Sequence, residues 1–178
     1  MALPAPRVNA LPSPARRGKN TAMSKSLKRV RAALEAGGVA PDILEMAEGT
    51  RTAADAARAA GCEIDQIAKS IIFRGAASGE ALLFITAGGN QVCAEKASAL
   101  ASETLGKADA GLIRAQTGFA IGGVAPVGHV NPIRAWCDPR LRGFATVYAA
   151  AGTPRHIFPI APDDLLRLSG AQEADFTR

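Results

Sequence analysis

The chain has 178 residues, 48% of them hydrophobic, with a formal net charge of +5. A chain of about 150 residues buries roughly 70% of its unfolded surface, so one self-sufficient core is expected without disulfides or metals. Its apolar runs are far shorter than the ~20 residues of a membrane span, so the sequence predicts neither a transmembrane helix nor a secretory signal.

The positive charge is concentrated at the start of the chain. Residues 1–34 contain eight basic residues and no acidic one, whereas residues 35–178 contain the other 13 basic and all 16 acidic residues, a balance of −3. A surface coated with positive charge, as in many DNA-binding proteins, is therefore not expected. A local basic rim could still steer a phosphate backbone.

Residues 1–23 differ in composition from the rest, with four prolines among small and basic residues. Such a segment cannot build a core, so we expect a disordered, basic, proline-rich tail there and one folded domain over residues 24–178.

The three cysteines and two histidines limit the redox and metal chemistry that the sequence can support. The cysteines are widely spaced, form no CxxC pair and complete no metal-ligand spacing with the histidines. A reducing, cytoplasmic setting is expected, with no metal and no cofactor.

Capping residues and apolar spacing predict five helices. Ser24 can cap the first, which Gly37 ends, and Thr52 followed by Asp55 opens the second. The helices are expected between residues 24 and 37, at 52–60, 94–104 and 110–117, and from residue 162.

Strands are predicted at residues 67–73, 82–86, 119–124, 144–148 and 157–160, with residues 75–80 turning between the first two. Paired strands without regular βαβ alternation indicate an α/β fold of the α+β type. The expected sheet is mixed, largely antiparallel and packed by helices.

The sequence Ile121–His129, IGGVAPVGH, is the strongest local signal. Gly122 and Gly123 allow a ligand to approach the backbone closely, and Pro126 stiffens the turn. Backbone N–H groups of such a loop could converge on an oxyanion. The alternative is a plain structural turn.

Three polar residues stand out by their surroundings. Lys69 lies in an apolar strand, where its ammonium could bind a phosphate or polarise a carbonyl, or could extend to water at the sheet edge. His129 could act as a general base or hydrogen-bond donor, or could be a surface or capping residue. Asp138, which precedes a proline, is most simply a turn former.

Three segments in order resemble a known family. They are RTAADAARAAGCEIDQIAKSIIFRG, AQTGFAIGGVAPVGH and YAAAGTPRHIFPIAPDDLLRLSGA, at residues 51–75, 115–129 and 148–171. Together they resemble the YbaK-like editing domains, which are related to the insertion domain of bacterial prolyl-tRNA synthetases. The resemblance extends from about residue 26 to residue 175.

The resemblance implies a trans-acting deacylase that hydrolyses wrongly charged tRNA, often tRNA-Pro carrying a small wrong amino acid. Lys69 matches the family's motif lysine, Gly122–Pro126 its GxxxP loop, and Gly152–Pro154 the opposite wall of the pocket. The family is thought to use backbone groups, a bound water and substrate hydroxyls rather than a side-chain nucleophile.

The resemblance assigns the candidate residues to two groups. The catalytic group is Lys69, Gly122, Gly123 and Pro126. The substrate-binding group is Ser70, Val124, Ala125, His129, Gly152, Thr153 and Pro154. Ser70 stands where some branches carry a catalytic asparagine, so their alanine-specific mechanism is not carried over.

The expected partners are the acceptor end of tRNA, with its aminoacylated 3′ adenosine, and prolyl-tRNA synthetase. Two other functions remain open: a module of the same fold that binds tRNA or a synthetase without hydrolysis, and a small-molecule ester or amide hydrolase. The sequence also leaves the amino acid open among cysteine, alanine, serine, threonine and others.

Overall fold

The computed structural model describes residues 23–47 and 51–178. The predicted tail of residues 1–23 lies, apart from Met23, outside the described residues.

The described residues form five α-helices, eight strands and two short 3-10 helices. The helices are α1 (Lys25–Ala36), α2 (Ala53–Ala60), α3 (Ala94–Ala101), α4 (Ala110–Thr117) and α5 (Pro162–Ser169). The strands are β1 (Leu44–Glu45), β2 (Ile67–Gly75), β3 (Ala81–Ala87), β4 (Leu105–Lys107), β5 (Arg134–Cys137), β6 (Val147–Ala150), β7 (His156–Ile160) and β8 (Gln172–Glu173). The 3-10 helices are Ile64–Gln66 and Pro139–Gly143.

The strands form one mixed sheet in the order β1-β7-β6-β2-β3-β5-β8, and β4 also pairs with β2. The β2–β3, β2–β4, β6–β7 and β1–β7 pairs are antiparallel, while β2–β6, β3–β5 and β5–β8 are parallel. The predicted mixed sheet packed by helices is therefore confirmed.

One edge of β2 is shared by two strands. β6 pairs with Ile67 and Ala68, and β4 pairs with Phe73–Gly75, while β3 occupies the opposite edge along most of β2. Among the described strands none pairs with residues 69–72 on the shared edge. The sheet therefore opens beside Lys69 and Ser70.

Both faces of the sheet are covered. Leu27, Val30 and Leu34 of α1 pack on one face, together with Ala68 and Ile85. On the other face α3 covers an aromatic cluster, in which Phe84 stacks on Trp136 at a centroid distance of 4.9 Å. At the β6 end of that face, α2 packs against Ile67 and Tyr148.

The predicted strand at residues 119–124 is wrong. These residues run through turns, with Gly118 at φ +80° and Gly122 at φ +90°, and pair with no strand of the described sheet. Phe119 and Val124 are buried because the loop itself is packed into the core. Their apolar character reflects that burial rather than strand pairing.

Two boundaries also differ from prediction. The helix expected to reach residue 104 ends at Ala101, because Ser102 adopts a left-handed conformation with φ 58° and the chain then enters β4. The strand expected at 144–148 is instead β6, displaced by the 3-10 helix before it. Four strands, β1, β4, β5 and β8, were not predicted, because they have only two to four residues each.

The aromatic cluster yields a test of the packing. Phe84 is fully buried and contacts Phe73, Trp136 and Phe176. Phe84→Ala should lower the free energy of unfolding by roughly 3–5 kcal/mol, because it leaves a cavity in a dense core. Urea denaturation measures this, with exposed Val130→Ala as the control. A loss below about 1 kcal/mol would contradict the packing described.

Candidate active site

The loop between α4 and β5 is fixed by its own side chains. Phe119, Val124, Ala125 and Val127 point into the core, with exposures of 7% or less. Because the side chains are turned inward, the loop can offer a ligand mainly its backbone.

The loop touches the turn between β6 and β7. A Cβ atom on Gly123 would lie 2.6 Å from the carbonyl carbon of Thr153 and 2.9 Å from its nitrogen. Gly122 has φ +90°, and the Cγ atom of Pro154 lies 3.9 Å from its Cβ position. The structure therefore brings the two predicted segments together, at a distance that only glycine permits at position 123.

The turn between β6 and β7 is also held by hydrogen bonds of its own. Thr153 Oγ1 accepts a hydrogen bond from the Arg155 N–H at 3.3 Å and lies 2.6 Å from His156 Nδ1. Burial lowers the pKa of His156, which favours the neutral imidazole and lets the hydroxyl donate to it. His156 is thus a positioning residue for Thr153.

The backbone donors of the loop are partly unused. Gly123 N–H donates to Ala120 O at 3.2 Å, but within the described part of the chain the N–H groups of Gly122, Val124 and Ala125 have no acceptor. Val124 and Ala125 are 7% and 0% exposed. Buried N–H groups without partners are rare and costly. Gly122 is exposed, so its N–H is the donor of this loop that an oxyanion could reach.

His129 is partly buried and holds the loop. Its Nε2 atom lies 2.7 Å from Ala125 O, and its ring packs edge-on against Phe119. Burial lowers the pKa of His129; the bond to Ala125 opposes this and the charge of Arg29 adds to it. The neutral ring donates from Nε2, which is assigned from the bond it makes.

By strand alternation, Lys69 lies on the same sheet face as Ile67, Ile71 and Phe73. Neighbouring Ala68 points to the opposite face, where Val124 and Ala125 pack. The parallel pairing of β2 with β6 ends at Ala68 and Ala149, one residue before Lys69 and three residues before Gly152. The structure therefore links Lys69 to the turn through β6, and not directly to the side chains of the loop.

The Lys69 ammonium is held by a hydrogen bond and has no ion-pair partner among the described residues. Nζ donates to Asn90 O at 2.7 Å. Burial lowers the pKa of Lys69, while the negative charges of Asp138 and Asp65 oppose that shift. The ammonium is thus partly removed from water, and the two nearby carboxylates offset part of the cost of its charge.

Asp138 organises the group around Lys69. Its carboxylate accepts from Asn90 Nδ2 at 2.8 Å, from Ala87 N at 3.1 Å and from Arg140 N at 2.9 Å, and it is only 3% exposed. The expected turn role is confirmed, since Asp138 caps the 3-10 helix that follows. Its hold on the Asn90 segment was not predicted, because 48 residues separate the two partners.

Ser70 faces the same side as Ala68. Its Oγ atom is buried and has no hydrogen-bond partner among the described residues. A buried hydroxyl without a partner costs stability, so it is a second unused polar group beside the opening in the sheet.

Other chemistry finds little support in the described residues. They contain no group of three or more His, Cys, Asp or Glu placed to hold a metal ion. Burial raises the pKa of Cys137 to about 12, which leaves that thiol protonated and inert. No helix in this part of the chain is long and apolar enough to cross a membrane.

Comparison with known families decides the assignment. Residues 47–168 match the model of the aminoacyl-tRNA editing domain. The chain belongs to this family. The match includes Lys69, the glycine loop and the β6–β7 turn, so the resemblance seen in the sequence is confirmed.

Individual relatives of this editing-domain chain agree. A crystal structure described as a candidate trans-editing enzyme for prolyl-tRNA synthetase is 44% identical, with TM-score 0.81, covering 88% of this chain and 99% of that one. Hypothetical protein APE2540 is 27% identical, with TM-score 0.76, covering 84% and 99%. The uncharacterized protein YwhH of Bacillus subtilis (strain 168) is 31% identical over 148 residues, or 81% of this chain and 91% of its own length.

The contact between the loop and the turn can be tested by stability. Gly123→Ala should lower the free energy of unfolding by about 1–3 kcal/mol, because its methyl group overlaps the Thr153 backbone. Gly106→Ala is the matched control, since the nearest atom to its Cβ position is 4.0 Å away. Equal unfolding midpoints for the two variants would show that the backbones do not meet.

Proposed function

We propose that this editing-domain protein is a trans-acting deacylase, which hydrolyses the ester of mischarged tRNA. Its expected substrate is tRNA-Pro carrying a small wrong amino acid, produced by prolyl-tRNA synthetase in the cytoplasm. The family and the similar candidate trans-editing enzyme support the reaction class. The loop N–H groups that lack an acceptor among the described residues, above all that of exposed Gly122, support the chemistry.

In the proposed reaction, a water oxygen attacks the ester carbonyl carbon. The bond from that carbon to the ribose oxygen then breaks, and the ribose oxygen takes up a proton. The products are the free amino acid and uncharged tRNA. No covalent bond to the protein is needed.

The backbone of the loop stabilises the transition state. Gly122 and Gly123 let the ester approach, and the free N–H groups face the developing negative charge. One such donor is typically worth about 3–4 kcal/mol of barrier, or roughly 10²–10³ in rate. The loop donors need no rearrangement during the reaction, because the buried side chains already fix the loop.

Two side chains complete the proposed site. Lys69 supplies a cation to the phosphate of the terminal adenosine or to the ester carbonyl. Ser70 offers a buried hydroxyl to a substrate hydroxyl or to the attacking water. Neither acts as a nucleophile.

Selectivity follows from exclusion. A correct amino acid that is larger than the pocket cannot place its ester against the loop, whereas a smaller wrong one can. Such a second sieve supplements the 10–200-fold discrimination that binding alone supplies for one methylene group.

Release of amino acid from a panel of mischarged tRNAs tests the proposal. The panel is tRNA-Pro charged with alanine, cysteine, serine or threonine. The wild-type chain should hydrolyse at least one member. Gly123→Val should reduce kcat by about 10²-fold or more, because it displaces the loop donors.

Lys69→Met distinguishes the two roles of the lysine. A phosphate contact raises KM with little change in kcat, whereas a carbonyl contact lowers kcat. Exposed Lys107→Met is the control and should match wild type. Wild-type rates in both the Gly123 and Lys69 variants would place the site elsewhere. Tight tRNA binding without any hydrolysis would favour the non-catalytic module.

The pH dependence of hydrolysis gives an independent test. If the protonated ammonium of Lys69 takes part, activity falls on the alkaline side as this group loses its proton. Asp138 opposes the lowering of the Lys69 pKa, so Asp138→Asn should move that alkaline limb to lower pH. The measurement is kcat/KM against pH, corrected for spontaneous ester hydrolysis.

Asp163→Asn serves as the charge-matched control for that profile, since Asp163 is exposed and paired with Arg142. Its alkaline limb should coincide with that of wild type. An unchanged limb in Asp138→Asn would show that Lys69 does not control the alkaline loss of activity.

A further inference from the structure

Helix α1 begins with positive charge that no acid offsets. Lys25, Lys28 and Arg29 lie at spacings i, i+3 and i+4, which places them on one side of the helix. Lys25 and Lys28 are exposed, and within the described residues neither forms an ion pair. We call these three residues the basic edge.

This placement does not serve helix stability. The N-terminus of a helix carries a partial positive charge, so acidic residues there stabilise and basic residues destabilise by about 0.3–1 kcal/mol each. The first turn of α1 contains no acidic residue. The charges therefore act against the helix dipole, which points to a use outside the helix.

Helix α1, which carries the basic edge, contacts both walls of the candidate site through its backbone. The Ser26 carbonyl oxygen lies 3.0 Å from the Cβ position of Gly152, at the turn. The Arg29 carbonyl oxygen lies 3.2 Å from the Cβ position of Gly128, at the end of the loop. Arg29 also donates to Gly118 O at 3.1 Å. One short helical segment thus contacts both walls.

The charge of residues 35–178 makes this edge distinctive. Residues 35–178 carry 13 basic and 16 acidic residues, a balance of −3. An RNA backbone approaching the site would thus meet a concentrated positive charge at α1 rather than a general attraction. Paired RNA is recognised largely through its shape and phosphates, so such a local edge is sufficient for positioning.

We propose that the basic edge of Lys25, Lys28 and Arg29 binds backbone phosphates of the acceptor stem of the tRNA whose 3′ end enters the candidate site. This inference rests on the proposed function for the identity of the nucleic acid. The edge orients the stem, and the loop and turn receive the terminal adenosine.

Binding of uncharged tRNA-Pro by the full chain tests the edge without requiring catalysis. Lys25→Gln/Lys28→Gln should weaken binding about tenfold or more at 0.1 M salt. It should also reduce the slope of log affinity against log salt by about two, because two phosphates are no longer neutralised by a lysine. Lys25→Arg/Lys28→Arg, which keeps both charges, should retain wild-type affinity and slope.

The charge-matched control is Lys96→Gln/Arg178→Gln. Lys96 lies on α3, which packs with the aromatic cluster on the face of the sheet opposite to α1. This control should retain the wild-type affinity and slope. An equal loss in both double variants would overturn the inference, because the effect would be one of net charge alone. Unchanged binding in Lys25→Gln/Lys28→Gln would overturn it as well.

A small ester separates this inference from the proposed function. The matching 3′-aminoacyl-adenosine lacks the stem. Relative to wild type, the fold-loss of activity in Lys25→Gln/Lys28→Gln should be at least ten times smaller on this ester than on the mischarged tRNA. If wild type cleaves no ester but the edge still binds tRNA, the proposed function fails and the edge stands. If the variant loses affinity for prolyl-tRNA synthetase but not for tRNA, the edge binds protein and the inference fails.

Discussion

The contact of the Gly123 backbone with the backbone of Thr153 is the constraint on which the site depends. Two segments from distant parts of the chain can meet this closely only where no Cβ atom intervenes. The same condition holds at Gly152 and Gly128, where the turn and the loop meet α1. These glycines assemble the walls of the site from backbone, and leave the side chains nearby to hold it in place.

The site contains buried polar groups that lack hydrogen-bond partners. Val124 and Ala125 bury N–H groups without an acceptor in the described residues, and Ser70 buries a hydroxyl in the same condition. Each such group costs about 1–3 kcal/mol relative to a satisfied one. The large core on both faces of the sheet tolerates this cost. Each unsatisfied polar group in a well-packed fold calls for an explanation, and the binding of a ligand supplies one.

Much of this arrangement could be predicted from the sequence, and the remainder failed for identifiable reasons. The face of Lys69 follows from strand alternation, and the capped ends of α1 and α2 follow from Ser24 and Thr52. The prediction of a strand at 119–124 fails because the apolar residues of this loop are buried without pairing. Neither Asn90 as the partner of Lys69 nor the meeting of Gly123 and Thr153 has a local signal, because both depend on the folded topology.

A site built from backbone donors has a consequence for its chemistry. An N–H group of the main chain does not titrate, and the histidine that holds the loop has a pKa lowered by burial and by Arg29, which favours its neutral form. In the proposed mechanism, the pH dependence is therefore left to Lys69, whose charge depends on Asp138 and Asp65. The division is physical: the loop stabilises charge that develops on the ester, while the buried aspartate on the other face of the sheet sets the protonation of the lysine. Exposed acids such as Asp163 have no part in it, because solvent screens them.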